Sequence, residues 1–256
     1  MDFRLYFLLI SLFTQNAFGC YLNQKVISLS GPITMTLEYL GLTKDKNLVA
    51  ISKFHKLSHK FEGEVLAGGI FLAKRTLDKY KEGMIFFDKS KDLSRELKQA
   101  GFQNSIEIYT LGQNPFQTVK YTVSALRSIL TNCDSKIAEL KSFLKKTKQN
   151  LKIPKGTYYF FLGKITQKYP ELIIANDGFL RSLKALDSFA TYKTDLNYVP
   201  WSKKLIGQGD RYFKIGLFES EKNQVYREKN KKGFWNLSGR GLLIPGIRQV
   251  ILLEFL

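Results

Sequence analysis

Cysteine and histidine are nearly absent: two of each occur in 256 residues. Two cysteines exclude a disulfide-scaffold miniprotein and a four-thiolate zinc site, and two histidines exclude a three-histidine metal centre. Proline is scarce at 6 residues and glycine is ordinary at 19, so the chain is neither a proline-rich disordered segment nor a fibrous repeat. There is no repeat at solenoid spacing and no low-complexity tract. Beyond the first residues, no stretch is apolar enough to span a membrane. A P-loop, a Gly-x-Ser-x-Gly elbow and a His-Glu-x-x-His helix are all missing. Gly207-Gln208-Gly209 has no strand before it and no third glycine after it, so it reads as a turn. Acids are short as well: Asp+Glu is 22 against Lys+Arg of 40, a formal net charge of +18.

What is present is globular. Hydrophobic residues make up 44% of the chain, enough for one large domain or two lobes, each with its own core. The first residues read MDFRLYFLLISLFTQNAFGC: Arg4, an apolar run from Leu5 to Phe13, then the small residues Ala17 and Gly19. The run is short of the ~20 residues a spanning helix needs, and its order is that of a secretory signal peptide over 1–19. Cleavage after Gly19 makes Cys20 the first mature residue. Two fates are open to it: acylation as a lipoprotein anchor in the membrane, or ordinary cleavage followed by pairing with Cys133 in an oxidising compartment.

Removing 1–19 takes away Asp2 and Arg4, so the mature charge stays +18. In a cytosolic chain that surplus would suggest nucleic acid. An exported chain rarely meets it, and no nucleic-acid partner is expected. Six lysines and no acid lie in 141–155, and a mixed charged run lies in 219–232. These read as solvated helix faces and loops, the sharper reading being attraction to an anionic surface or ligand.

Strands and helices alternate along the mature chain. Strands are expected over 25–30, 47–52, 83–88 and 105–110. Between them, Ile33, Leu37 and Leu40 mark one helix face and Leu93 and Leu97 another. Phe116, Val119, Val123, Leu126 and Leu130 step by three and four, predicting an amphipathic helix over 115–130. Asp134 opens a second long helix over about 134–151, with Ile137, Leu140 and Leu144 as its apolar stripe and Pro154 as its stop. Alternation then restarts, with strands over 156–163, 212–220 and 239–245 and helices over 177–189 and 246–256. The expected fold class is α/β: two Rossmann-like lobes joined by one long interlobe helix. The boundaries are 20–133 for the N-terminal lobe, 134–153 for the helix and 154–256 for the C-terminal lobe.

The segment VISLSGPITMTLEYLGLTKDKNLVAIS (26–52) resembles the opening of the periplasmic binding proteins for cobalamin, haem and ferric siderophores. In that family a strand ending in Ser-Leu-Ser enters a Pro-headed helix, and Leu-Gly, a charged turn and a second strand ending in serine follow. Gly68-Gly69, LDKYKEGMIFFD (77–88), ELKQAGF (96–102), NDGFLRSLKALDSF (176–189) and PGIR (245–248) continue the likeness. The resemblance implies a monomeric binding protein, not an enzyme. Such a protein has no intrinsic cofactor, captures a cobalamin, haem or ferric siderophore in an interlobe cleft, and hands it to the permease of an ABC importer. It implies a periplasmic location, or a membrane-anchored one if Cys20 is acylated. The family's usual permease-docking acids are not matched: Lys74 and Arg75 stand near the first position and Lys203 and Lys204 near the second. Glu64, Asp78 and Asp187 are substitutes that nothing in the sequence selects. The alternative function is therefore an exported interaction or surface protein that keeps the fold without importing.

The candidate binding residues are few. Ser30, Gly31 and Pro32 sit where a strand end meets a helix N-terminus, a natural anion site, or simple capping. Tyr198 and Trp201, in a loop around Pro200, offer aromatic faces to a planar ligand, or serve in packing. His55 and His59 are four apart and would share a helix face. Lys53, Lys56 and Lys60 around them repel a cation, so exposed loop histidines are the expectation and no metal site is assigned.

Overall fold

Apolar runs too short for helices form the strands of this chain, and the periodic segments between them form its helices. The computed structural model describes residues 19–53, 55, 57, 59–66, 78–89, 91–110, 113–152, 157–163, 172–174, 178–186, 190–191, 196, 198–200, 211–216, 226–229, 235–238, 244 and 246–254. A first unit runs through β1 (Tyr21–Leu22), β2 (Val26–Ser28), α1 (Gly31–Tyr39), β3 (Leu48–Ser52), β4 (Glu64–Leu66), β5 (Met84–Asp88), α2 (Lys91–Gln99) and β6 (Ser105–Ile108). Then come α3 (Pro115–Leu126), β7 (Leu130–Thr131) and α4 (Asp134–Asn150). The second unit holds β8 (Thr157–Gly163), β9 (Leu172–Ile174), α5 (Gly178–Lys184), β10 (Ala190–Thr191), β11 (Tyr198–Pro200), β12 (Arg211–Gly216), β13 (Tyr226–Lys229) and β14 (Trp235–Ser238), and α6 (Ile247–Leu253) follows it.

The first sheet is five-stranded and wholly parallel, in the order β4-β3-β2-β5-β6. Its strands are apolar on both faces, as a sheet covered by helices on both sides requires. Val26, Leu48, Ile51 and Phe86 join one core. Their neighbours Ile27, Ala50, Ile85 and Phe87 point the other way into a second core with Leu93 and Leu97 of α2. Burying each of these larger side chains contributes about 1.5–3 kcal/mol. The second sheet is mixed, in the order β11-β9-β8-β12-β14-β13, with β10 also joined to β8. β8, β12 and β14 run parallel at its centre, and β9 and β13 are antiparallel to their neighbours. Tyr158, Phe160 and Phe213 stack across β8 and β12, with ring centroids 5.9 and 5.6 Å apart.

Helices α1, α3 and α6 pack on one another at the first core. Residues 31–37 of α1 are buried on every side, not only along the expected stripe of Ile33, Leu37 and Leu40, because α1 lies among the sheet, α3 and α6. Its threonines satisfy themselves locally: Thr36 Oγ1 donates to the Pro32 carbonyl at 2.8 Å and shares a 3.0 Å hydrogen bond with Thr122 of α3. Asn114 and Gln117 form a reciprocal capping box around Pro115 at the start of α3. Glu38 of α1 and Arg248 of α6 meet at 2.8 Å, with side chains only 9% and 10% exposed, so a residue near the chain's end is fastened inside the first unit.

Several boundaries differ from the periodicity. The helix expected over 115–130 ends at Leu126; Leu130 instead pairs with Leu22 in the β1–β7 ribbon. Asn132, at φ 55°, takes a left-handed turn, and Cys133 beside it is disulfide-bonded to Cys20. Of the two fates open to Cys20, the structure shows the disulfide. The helix expected over 177–189 is Gly178–Lys184, and the terminal helix is Ile247–Leu253. The strand expected over 239–245 lies almost wholly outside the described residues; β14 forms just before it. Among the described residues, no helix is long and apolar enough to cross a membrane.

Candidate functional site

Open parallel sheets offer ligands a crevice beyond their strand carboxyl ends, at the point where strand order reverses. In the first sheet that point falls between β2 and β5. The chain builds outward from β2 through β3 to β4, then crosses back to lay down β5 and β6 on the other side. Ser30, Gly31 and Pro32 leave the carboxyl end of β2, and Asp88 is the last residue of β5. The structure joins them: Ser30 Oγ donates to Asp88 Oδ1 at 2.7 Å, and the Gly31 N–H donates to the same carboxylate.

This geometry answers the capping question. Ser30 occupies the N-cap of α1 but makes no side-chain capping bond, because its hydroxyl is turned across the crevice to Asp88. The chain's own carboxylate thus lies at the positive end of α1. Asp88 is exposed, yet protein surrounds its carboxylate closely. That crowding raises its pKa, against the lowering effect of the Ser30 and Gly31 hydrogen bonds.

Ser30, Gly31 and Pro32 are themselves buried. A Cβ added at Gly31 would stand 2.9 Å from Cγ2 of Ile244 and 3.2 Å from Nε2 of His55, so glycine is what permits this close approach. His55 was expected in an exposed loop. It is 8% exposed, packed on α1 with Nδ1 3.2 Å from Thr34 Oγ1, and Thr34 in turn shares a 2.7 Å hydrogen bond with Ser28. Burial lowers its pKa to about 4, so the ring is neutral at pH 7. Among the described residues, no group of three His, Cys, Asp or Glu side chains is placed to hold a metal ion.

The exposed rim of the strand ends carries residues the sequence reading passed over. Lys89 follows Asp88, and its Nζ lies 4.5 Å above the ring of Tyr109, which follows β6 and is 43% exposed. An acid, a cation and an aromatic face thus share one edge. The signal was in the sequence, since Asp88 ends and Lys89 follows the strand expected over 83–88, and Tyr109 is the second-last residue of the one expected over 105–110. Nothing local distinguished these strand ends from the others.

Tyr198 stands on a different sheet from Ser30. It opens β11, opposite Ile174 of β9, and is 42% exposed. The expected loop around Pro200 is in fact this outermost strand, an edge position that tolerates proline. Trp201 lies outside the described residues, as do Lys74, Arg75, Asp187, Lys203 and Lys204. Of the alternative docking acids, Glu64 accepts hydrogen bonds from Lys79, at 2.8 Å, and from the Tyr80 hydroxyl. Asp78 pairs with Lys81 at 2.9 Å.

No family model matches the chain, and no curated protein matches its sequence. Its fold is matched by solved structures at low identity. The periplasmic haem-binding protein HutB of Vibrio cholerae aligns over 91% of this chain and 96% of its own, at 12% identity and a TM-score of 0.60. A periplasmic binding protein from Veillonella parvula aligns over 92% and 90%, at 12% identity and a TM-score of 0.57. The periplasmic vitamin B12 binding protein BtuF of Vibrio cholerae aligns over 76% and 77%, at 15% identity and a TM-score of 0.56. The α/β architecture of this chain, with its parallel sheet and covering helices, is that of the two-lobed periplasmic binding proteins.

Proposed function

We propose that this chain is an exported solute-binding protein that captures a metal chelate or tetrapyrrole in a cleft between two lobes and delivers it to an ABC importer. The lobes are residues 20–133 and 154–256, with 134–153 as the helix between them and 1–19 as a cleaved leader. The fold it shares with binding proteins for haem and vitamin B12 supports this reading. The observation that carries it is the strand-end edge at the reversal of strand order, where Asp88 is held by Ser30 and Gly31 beside the exposed Lys89–Tyr109 pair. Tyr109 offers a face for a planar ligand, and Lys89 a charge for its acidic groups. Tyr198 and Trp201 are the proposed contacts from the second lobe. The protein supplies few metal ligands, so the metal arrives already chelated.

Titration of the mature, disulfide-bonded protein with haem, cobalamin and ferric siderophores, followed by absorbance and calorimetry, tests the reading. Saturable binding of one of the three at 1:1 is expected. Failure of all three, with tight binding of a bare divalent metal through His55 and His59, would overturn it.

A second reading is an exported interaction protein that keeps the fold without importing. It draws support from Glu64 and Asp78, whose carboxylates already engage the chain's own Lys79 and Lys81. Purified protein carrying no coloured ligand, and binding none, would favour it.

A further inference from the structure

We propose that the groove between α3 and α4 is a docking site for an acidic amphipathic helix of a partner protein. A groove of about 620 Å³ lies between residues of the two helices. Its walls carry Lys120 of α3, Arg127 at the C-cap of α3, and Lys141, Lys145 and Lys148 of α4, all five exposed. Among the described residues, no acid lines it. Among the described residues these five cations make no ion pair with a carboxylate, whereas Lys79, Lys81, Lys136 and Arg248 each do.

The acids of α4 are kept elsewhere. Asp134 lies at its first turn, and Glu139 pairs with Lys136 and acts on Tyr39 of α1, on the opposite side of the helix. Helix α3 contains no acid at all. Between the cationic walls runs an apolar floor formed by Phe116, Val123, Ile137, Leu140 and Leu144.

The spacing of the charges selects the occupant. Lys120 and Arg127 are seven residues apart, as are Lys141 and Lys148, so each wall presents positive charge over roughly 10 Å of helix. A lipid headgroup or a free anion concentrates its charge within a few ångströms and would be served by a cluster at one end. Cations strung along both sides of an apolar stripe match a partner helix that carries acids on both flanks of its own apolar stripe. The floor residues are mostly buried already, so charge dominates the affinity and salt weakens it strongly.

The probe is a fluorescein-labelled, helix-stapled 18-residue peptide with leucines at i, i+3, i+4 and i+7 flanked by glutamates. A second peptide of the same composition has the stripe scrambled. Binding to the mature, disulfide-bonded chain is followed by anisotropy. The striped peptide is expected to bind saturably, at least tenfold more weakly in 300 mM than in 50 mM NaCl, and at least fivefold more tightly than the scrambled one. Charge reversal in K141E/K145E, both on exposed positions, is expected to reduce binding at least tenfold with an unchanged circular dichroism spectrum. Equal binding of the two peptides would reduce the site to general charge attraction and overturn the proposal. So would K141E/K145E binding as tightly as wild type, or no binding of the striped peptide. Phosphatidylglycerol vesicles binding in its place, with loss in the same variant, would assign the groove to a membrane surface instead.

Discussion

The Glu38–Arg248 pair offers a sharp test of how the chain's end is held to its beginning. The two residues are 210 apart in sequence, and Arg248 Nη2 donates to Glu38 Oε2 at 2.8 Å. Both side chains are about nine-tenths buried, so water screens the pair little and replaces either partner poorly. Arg248→Met keeps most of the side-chain volume but removes the guanidinium that meets Glu38; Glu38→Gln removes the carboxylate that meets Arg248. Breaking a buried pair in this way costs about 3–5 kcal/mol. For a chain of this length each kcal/mol lowers the melting temperature by about 2–4 °C, so either single variant should lose roughly 6–12 °C at the lower end of that range. The double variant E38L/R248M removes both charges and should recover most of the loss, because well-packed apolar residues substitute for a buried pair at little cost. Urea denaturation of wild type, both singles and the double, closed as a thermodynamic cycle, should give a coupling of about 2 kcal/mol or more. Single variants within 0.5 kcal/mol of wild type, or losses that simply add, would refute the argument that this pair fastens α6 to α1.

Three further outcomes follow from the same geometry. His55 has its pKa lowered to about 4 by burial, below the 6.5 of the open chain. The unfolded chain therefore binds a proton that the folded one refuses, and the stability is full above about pH 6.5 and is lost as pH falls towards 4, by about 3 kcal/mol in total. Asp88, with its raised pKa, acts with the opposite sign, so the check is the difference between the urea midpoints of wild type and H55N from pH 8 to 4.5. Parallel profiles would refute it. The Cys20–Cys133 bond closes a loop with a sequence separation of 113, so C133S should be less stable than oxidised wild type by up to about 5 kcal/mol. Denaturation with and without reductant should then shift the wild type and leave C133S unmoved. Finally, Tyr109→Ala should weaken binding of a planar chelate by about 1–2 kcal/mol if the ring stacks on it, with an unchanged melting temperature because Tyr109 is 43% exposed. Unchanged affinity would remove Tyr109 from the site.

What could be read locally was read correctly where side-chain period alone decides the outcome. VIS, LVAIS and MIFFD became strands of a doubly covered parallel sheet because runs this short and this apolar can be buried only that way. The spacing of Phe116, Val119, Val123 and Leu126 placed the start of α3, and the stripe of Ile137, Leu140 and Leu144 placed α4 within one residue of its observed end. Even the position of Ser30–Pro32 at a strand end was legible, since a strand running into a Gly-Pro turn announces one. The departures all depend on partners distant in the chain. Ser30 fails to cap because Asp88, 58 residues on, accepts its hydroxyl. His55 is buried because α1 folds back over it, and Leu130 leaves its helix because Leu22 is there to pair with. Periodicity reports which face of an element is apolar, and strand order, which sets what that face meets, is not a local property. The composition and local pattern of this chain determined an α/β protein with a large surplus of cations. Only the tertiary structure decided which hydroxyl meets which carboxylate, because those contacts join segments whose separation in sequence carries no record of their distance in space.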